Sequence, residues 1–211
     1  MASRVQFHLN LSTPLSCFDK SFENLVRLFF AFMPALGFDI IEENENGKRS
    51  SSNTVFVMIH CDKFLYNNLL WKNWALVNLT EMILIGNSFG SMFERHPHRI
   101  LKDHYKYIWL IHELAVYEEN VVENWTERDN VFNDQAITVF PRKKCTTIDF
   151  PSIKNSGSPI YEKSCLFWYQ CFNKSLKLFL CVLETHSAEC VTVTSFLVRS
   201  LKDCYVHLRP R

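Results

Sequence analysis

His60 and Cys61 stand side by side after an apolar run, and an imidazole next to a thiol is a pairing that makes nucleophiles: the ring lowers the thiol pKa and takes its proton. Adjacent residues on a strand point to opposite faces, so the two share a hydrogen bond only if the chain turns there. The spacing therefore assigns His60 and Cys61 a structural or ligand-lining role. Gly86-Asn87-Ser88 follows the next apolar run, and two readings of it stand together. In one, backbone amides at a helix start cradle an anion or cofactor; in the other, asparagine and serine simply cap the helix. No GxGxxG or Walker spacing accompanies it. Tyr66-Asn67-Asn68, with Trp71 and Trp74, combines amides and aromatic rings that suit either a planar ligand or core packing with local turn bonds. Asn133 and Asp134 precede the last apolar run of this region and complete the candidate ligand-lining set.

Other chemistry-bearing residues carry less. His96 and His98 flank Pro97 and could join His60 or Cys61 around a metal, and the His60-Cys61 pair could ligate heme, but an HxH in a polar loop reads as exposed and no metal is assigned. Asp19 would take the ribose-binding position of a doubly wound sheet, although no glycine turn accompanies it to hold phosphates. Lys48-Arg49 and Lys143-Lys144 are too short to indicate nucleic acid.

The elements that must position these groups are legible in the apolar pattern. Residues 22–36 recur at helical spacing and are closed by Pro34 and Gly37; Phe38, Ile40 and Ile41 suit a short strand, and 42–53 a polar loop. Residues 54–59 form a nearly continuous run of β-branched and aromatic side chains, as a strand buried on both faces requires. Helical or turn-rich pieces follow over 65–70 and 71–79, and 82–85 is the next buried strand, stopped by Gly86. These two strands should lie side by side and parallel, bringing His60 and Asn87 to a common rim. Residues 100–117 predict one long amphipathic helix, and 136–140 a last strand. Lys, Ser, Asn and Gly over 143–164 suggest a linker or extended arm. The apolar run 165–183 contains Asn173, Lys174 and Lys177, which are costly at mid-membrane and favour a packed amphipathic helix. Residues 191–198 suit a terminal strand or helix.

Composition narrows the function classes. With 211 residues, 47% of them hydrophobic, the chain can bury one sizeable core. The 23 basic and 22 acidic side chains leave a net charge of +1, so no global field draws it to nucleic acid or an anionic membrane. The opening residues lack the charged start and apolar core of a secretory leader, so a reducing compartment is expected, in which most of the eight cysteines would be buried thiols and the sequons at Asn10, Asn78, Asn124 and Asn173 would be silent.

The order of the blocks resembles the sensitivity-to-red-light-reduced (SRR-like) domain family. The residues that carry the likeness are Glu43-Asn44-Glu45-Asn46-Gly47-Lys48-Arg49, then Met58-Ile59-His60-Cys61, then Leu65-Tyr66-Asn67-Asn68-Leu69-Leu70-Trp71 with Asn73-Trp74, then Ile85-Gly86-Asn87-Ser88-Phe89 with Glu94-Arg95, and Phe132-Asn133-Asp134. Phe18-Asp19 with Phe22 is similar to the family's tyrosine-aspartate-proline segment, with Lys20 in the proline's place; Ile59 and Asp62 also depart from the pattern. The likeness is firm over 36–141 and extends faintly back to Ser3.

The resemblance implies an α/β fold, Rossmann-like, with a mostly parallel sheet flanked by helices and incomplete at the N-terminus, since the family's opening strand and glycine turn would lie upstream of Met1. It implies an SRR-like domain over 1–141 and an unmatched extension over 142–211. The implied function is regulatory: circadian rhythm and clock-gene expression, regulation of heme biosynthesis, cytoplasmic or nuclear location, and unidentified protein partners, with no nucleic acid or membrane and no assigned cofactor. A Rossmann-like transferase or hydrolase using the loops after Ile59 and Ile85 is the enzymatic alternative, and an inactive truncated isoform is a third.

Overall fold

A computed structural model describes residues 5–7, 45–122, 134–154 and 157–161. Five strands form one sheet: β1 (Val5–Phe7), β2 (Thr54–Met58), β3 (Met82–Asn87), β4 (Glu118–Val121) and β5 (Gln135–Val139), in the order β1-β2-β3-β5-β4. The β1–β2 and β2–β3 pairs are parallel; β3–β5 and β5–β4 are antiparallel. The expected mostly parallel sheet is thus corrected to a mixed one. The strand over 136–140 is present one residue earlier, but it runs against β3 because it enters at the rim where β3 ends, Asn87 pairing with Gln135. β1 and β4 were not anticipated: three residues are too few to show a period, and β4 is a largely exposed edge whose Glu118-Glu119-Asn120 has no apolar run.

The two long apolar runs occupy the middle of the sheet, parallel and in register from Thr54↔Met82 to Met58↔Gly86. Their side chains alternate between two buried layers. Phe56, Met58, Met82 and Leu84 face an aromatic core with Tyr66, Trp74, Phe89, Tyr107 and Phe140, while Val55, Ile83, Ile85, Ile137 and Val139 form an aliphatic layer opposite. Each such side chain contributes about 1.5–3 kcal/mol by leaving water, which is why an uninterrupted apolar run is tolerated only between two covered faces.

Seven helices accompany the sheet in the described residues: α1 (Lys63–Lys72), α2 (Leu76–Thr80), α3 (Phe89–Arg95), α4 (His98–His104), α5 (Lys106–Glu113), α6 (Arg142–Cys145) and α7 (Phe150–Lys154). Three further expectations change. β3 runs through Gly86 to Asn87 instead of stopping at the glycine. The single helix over 100–117 is two, α4 and α5, broken at Tyr105, whose φ of −129° and ψ of 54° are not helical. The break is held by the Asn67 side chain, whose Oδ1 accepts the α5 amides of Tyr107 at 2.8 Å and Ile108 at 3.3 Å. The linker reading over 143–164 gives way in its described part: α6 and α7 set Cys145 and Phe150 into the aromatic core, and Tyr161 packs back on the domain. The elements expected over 22–41, 165–183 and 191–198 lie outside the described residues, and no described helix is long and apolar enough to cross a membrane.

Burial around Cys145 and Tyr117 makes the fold sensitive to alkali. Burial pushes the Cys145 thiol up to about 11, against a smaller opposing pull from Lys144, and burial reinforced by Glu119 pushes Tyr117 up to about 12. Both groups fold in the neutral form, so the stability they contribute is whole below their ordinary values of 9.0 and 10.0 and is lost as pH climbs through those toward the raised ones. Urea midpoints should hold level at neutral pH and fall above pH 9, and Cys145→Val should remove the part of the fall contributed by the thiol. A Cys145→Val curve that overlays the parent through the alkaline range would contradict this.

Candidate functional site

The rim where β2 and β3 end and β5 begins gathers most of the chemistry-bearing residues singled out in the sequence. Just beyond β2 the chain turns, His60 adopting φ +55°, a left-handed conformation unusual for a non-glycine residue. Asn87 at the end of β3 holds that turn from both sides. Its Oδ1 accepts the His60 amide at 2.8 Å, and its Nδ2 donates to the Cys61 carbonyl at 2.8 Å. Gln135, the first residue of β5 and 2% exposed, donates through Nε2 to Asn87 Oδ1 at 3.2 Å and lies 3.4 Å from His60 Nδ1. The Gln135 amide thus stands against both the Asn87 side chain and the His60 ring at the head of the rim.

Tyr66 ties the rim to the helices. It is fully buried, donates to the Met58 carbonyl, and accepts the Asn87 amide at 2.7 Å. Its hydroxyl lies over Gly86: a Cβ there would stand 2.4 Å from Tyr66 Oη and 2.9 Å from the Met58 carbonyl oxygen. The glycine is thus explained by close approach of a neighbouring strand and a phenol, not by a phosphate.

The helix start after Gly86-Asn87-Ser88 is also filled from within. Ser88 caps α3 through Ser91 at 3.1 Å, in agreement with the capped-helix reading. Glu119 of β4 supplies the anion: its carboxylate accepts the amides of Phe89 at 2.6 Å and Gly90 at 3.1 Å and the hydroxyls of Ser88 at 3.0 Å and Thr138 at 3.1 Å. The chain's own carboxylate thus stands at the helix start, where the cradle reading would place an external anion. Asp134, in a left-handed turn at φ +61°, grips Arg95 of α3 through both carboxylate oxygens, and its carbonyl accepts the Ser88 amide at 2.8 Å. The hydrogen bond to Asp134, then its charge, raises the Arg95 pKa further.

The predicted residues therefore divide. His60, Cys61, Tyr66, Gly86, Asn87, Ser88 and Asp134 converge on the rim through the contacts just given. Asn67 and Asn68 do not: Asn67 faces the start of α5 and donates to Tyr161 Oη at 2.6 Å, while Asn68 donates to the Asn46 carbonyl at 2.8 Å and buries an Oδ1 without a partner. Asn133 and Asp19 lie outside the described residues. Among the described residues no three His, Cys, Asp or Glu side chains are grouped to hold a metal, and His96 Nδ1 donates to the Met92 carbonyl at 2.8 Å. The sequence does not single out Gln135 or Glu119, and it marks Asn73 only within the family's blocks, with no role; Asn73 proves to be a structural hub. It is fully buried, accepting the Ser51 amide at 2.6 Å and donating to the carbonyls of Arg49 at 2.8 Å and Leu69 at 2.9 Å. A polar residue opening an apolar run was the available signal for Gln135; nothing in local spacing marks Glu119.

Asn87 allows a direct test of this geometry. Asn87→Ala should cost about 2 kcal/mol, by leaving the His60 amide and Cys61 carbonyl without their partner, and should speed hydrogen exchange at His60. Asn87→Asp keeps the acceptor and loses the donor, so it should protect the His60 amide while loosening Cys61. Equal exchange at His60 in both variants would contradict the assignment.

Compared with known proteins, residues 5–139 match the family model for the SRR1 domain. A mouse SRR1-like protein is 49% identical over 78 residues, covering 36% of this chain and 31% of the mouse protein. The Arabidopsis thaliana protein SENSITIVITY TO RED LIGHT REDUCED 1 is 38% identical over 65 residues, 30% of this chain and 23% of that protein. A Drosophila melanogaster SRR1-like protein is 32% identical over 127 residues, 60% of this chain and 41% of the fly protein. The matched stretches thus span less than half the length of each of these relatives. No solved structure matches the chain.

Proposed function

Because the chain belongs to the SRR1 domain family, we propose that it is a regulatory protein of the cytoplasm and nucleus, acting through protein partners in circadian control of clock-gene expression and in the regulation of heme biosynthesis. One observation carries the regulatory reading over the transferase or hydrolase alternative. The Asn87 side chain binds the main chain of both His60 and Cys61, and the helix start beside it is filled by Glu119, so the amide and the helix amides best placed to bind a substrate serve to hold the rim in shape. A rim braced by its own side chains suits recognition of a partner surface. The relative named for sensitivity to red light fits a signalling role.

The test is complementation in cells that lack their own SRR1-like protein and carry a luminescent clock-gene reporter. Expression of the chain should restore the period or amplitude of the rhythm and the level of heme-synthesis transcripts. No change in either, together with a melting temperature raised by nucleotide or S-adenosylmethionine, would overturn the regulatory reading in favour of the enzyme.

A further inference from the structure

Residues 157–161 read Gly-Ser-Pro-Ile-Tyr, lie beyond the family-matched region, and belong to neither helix nor strand. They are nonetheless anchored at two points. Tyr161 accepts from Asn67 Nδ2 at 2.6 Å, donates to the His104 carbonyl at 2.9 Å, stacks on Tyr105 with centroids 5.7 Å apart at 14°, and meets Phe64 at 5.6 Å. Pro159 offers its carbonyl to Lys48 Nζ at 3.3 Å. Between and beside these anchors Ser158 and Ile160 face solvent, Ile160 at 92% exposure.

Two features of this strap point the same way. A serine directly before proline is biased to extended backbone, and the proline presents no amide; this is the form in which proline-directed protein kinases take their substrates. The cation that already holds the next carbonyl is also the one a phosphate would seek. Lys48 now donates to a neutral oxygen and sits 5.8 Å from the centre of the Trp71 ring. A phosphoserine carries about −1.5 to −2 charge, and a charge-assisted bond is roughly twice as strong as a neutral one.

We propose that Ser158 is a phosphorylation site for a proline-directed serine/threonine kinase, and that its phosphate pairs with Lys48 and tightens the strap on the domain. In the step itself Ser158 Oγ attacks the γ-phosphorus of ATP, the new O–P bond replaces the bond to the bridging oxygen, ADP leaves, and the hydroxyl proton passes to the kinase base. The consequence reaches the family's Glu-Asn-Glu-Asn-Gly-Lys-Arg block, because Lys48 belongs to it and Asn46 beside it is bound to α1 through Asn68. This inference goes beyond the proposed regulatory role and does not depend on it.

The experiment uses the full chain, a purified cyclin-dependent kinase and MgATP. Mass spectrometry should place phosphate on Ser158 in the parent and not in Ser158→Ala. Phosphorylation should then slow hydrogen exchange at the amides of Ile160 and Tyr161 about tenfold, an effect absent in Lys48→Met. Failure of the native chain to take phosphate at Ser158, when a peptide of the same sequence does, would overturn the site. Slowing that persists in Lys48→Met, or faster exchange after phosphorylation, would overturn the Lys48 pairing.

Discussion

Gly86→Ala is expected to destabilise the protein by about 3 kcal/mol, a fall of roughly 6–12 °C in melting temperature, although it adds one methyl to a residue of ordinary strand geometry. The methyl carbon would stand 2.4 Å from Tyr66 Oη and 2.9 Å from the Met58 carbonyl, and neither can retreat freely. Tyr66 is fully buried in edge-to-face contact with Phe89 at 5.7 Å, and Met58 is fixed by pairing with β3. The clash also separates Tyr66 Oη from the Met58 carbonyl and the Asn87 amide, two bonds that close the rim. Tyr66→Phe alone should cost about 1–2 kcal/mol by leaving that amide unpaired, but it removes the nearer obstacle. The double variant should therefore be less damaged than the sum of its parts by about 1 kcal/mol. Strict additivity in denaturant unfolding, or an unchanged midpoint for Gly86→Ala, would show that the phenol does not define this position.

Asn67→Ala should cost about 3 kcal/mol, and Asn68→Ala about 1 kcal/mol, although the two asparagines are neighbours on one helix and equally buried. Asn67 Oδ1 accepts two amides of the first turn of α5, which have no intrahelical partner, and its Nδ2 holds Tyr161. Removing it takes this acceptor from both amides and loosens the strap. Asn68 contributes one bond to the Asn46 carbonyl, and its truncation also removes the unpartnered Oδ1. Hydrogen exchange should accelerate most at Tyr107 and Ile108 in Asn67→Ala. Equal losses for the two variants would refute the capping role.

The convergence of His60 and Asn87 was legible because it follows from two apolar runs and the rule that uninterrupted runs lie centrally in a sheet. The family was legible for a related reason: two of its blocks, Met58–Cys61 and Ile85–Phe89, lie where strands end, and short blocks at fixed places are readable one by one. Partners distant in sequence were not. Glu119 reaches Phe89 from 30 positions away and Asn67 reaches Tyr107 from 40, so no window of local periodicity contains both ends of either contact. That is why the sequence predicts an unbroken helix over 100–117, since the amphipathic pattern continues across Tyr105, and why it offers the rim to an external anion although the chain itself supplies one.

Hydrophobic patterning along the chain was enough to establish which segments are buried and which residues end them, because burial is a property each segment carries in its own side chains. Strand direction, the partner of each polar group and the boundary of the core depended on the folded chain. The antiparallel entry of β5, the filling of the α3 start by Glu119 and the packing of Cys145 and Phe150 into the aromatic core are all agreements between remote segments. Hydrogen-bond geometry and close packing select among the many pairings that a given pattern of apolar and polar residues allows.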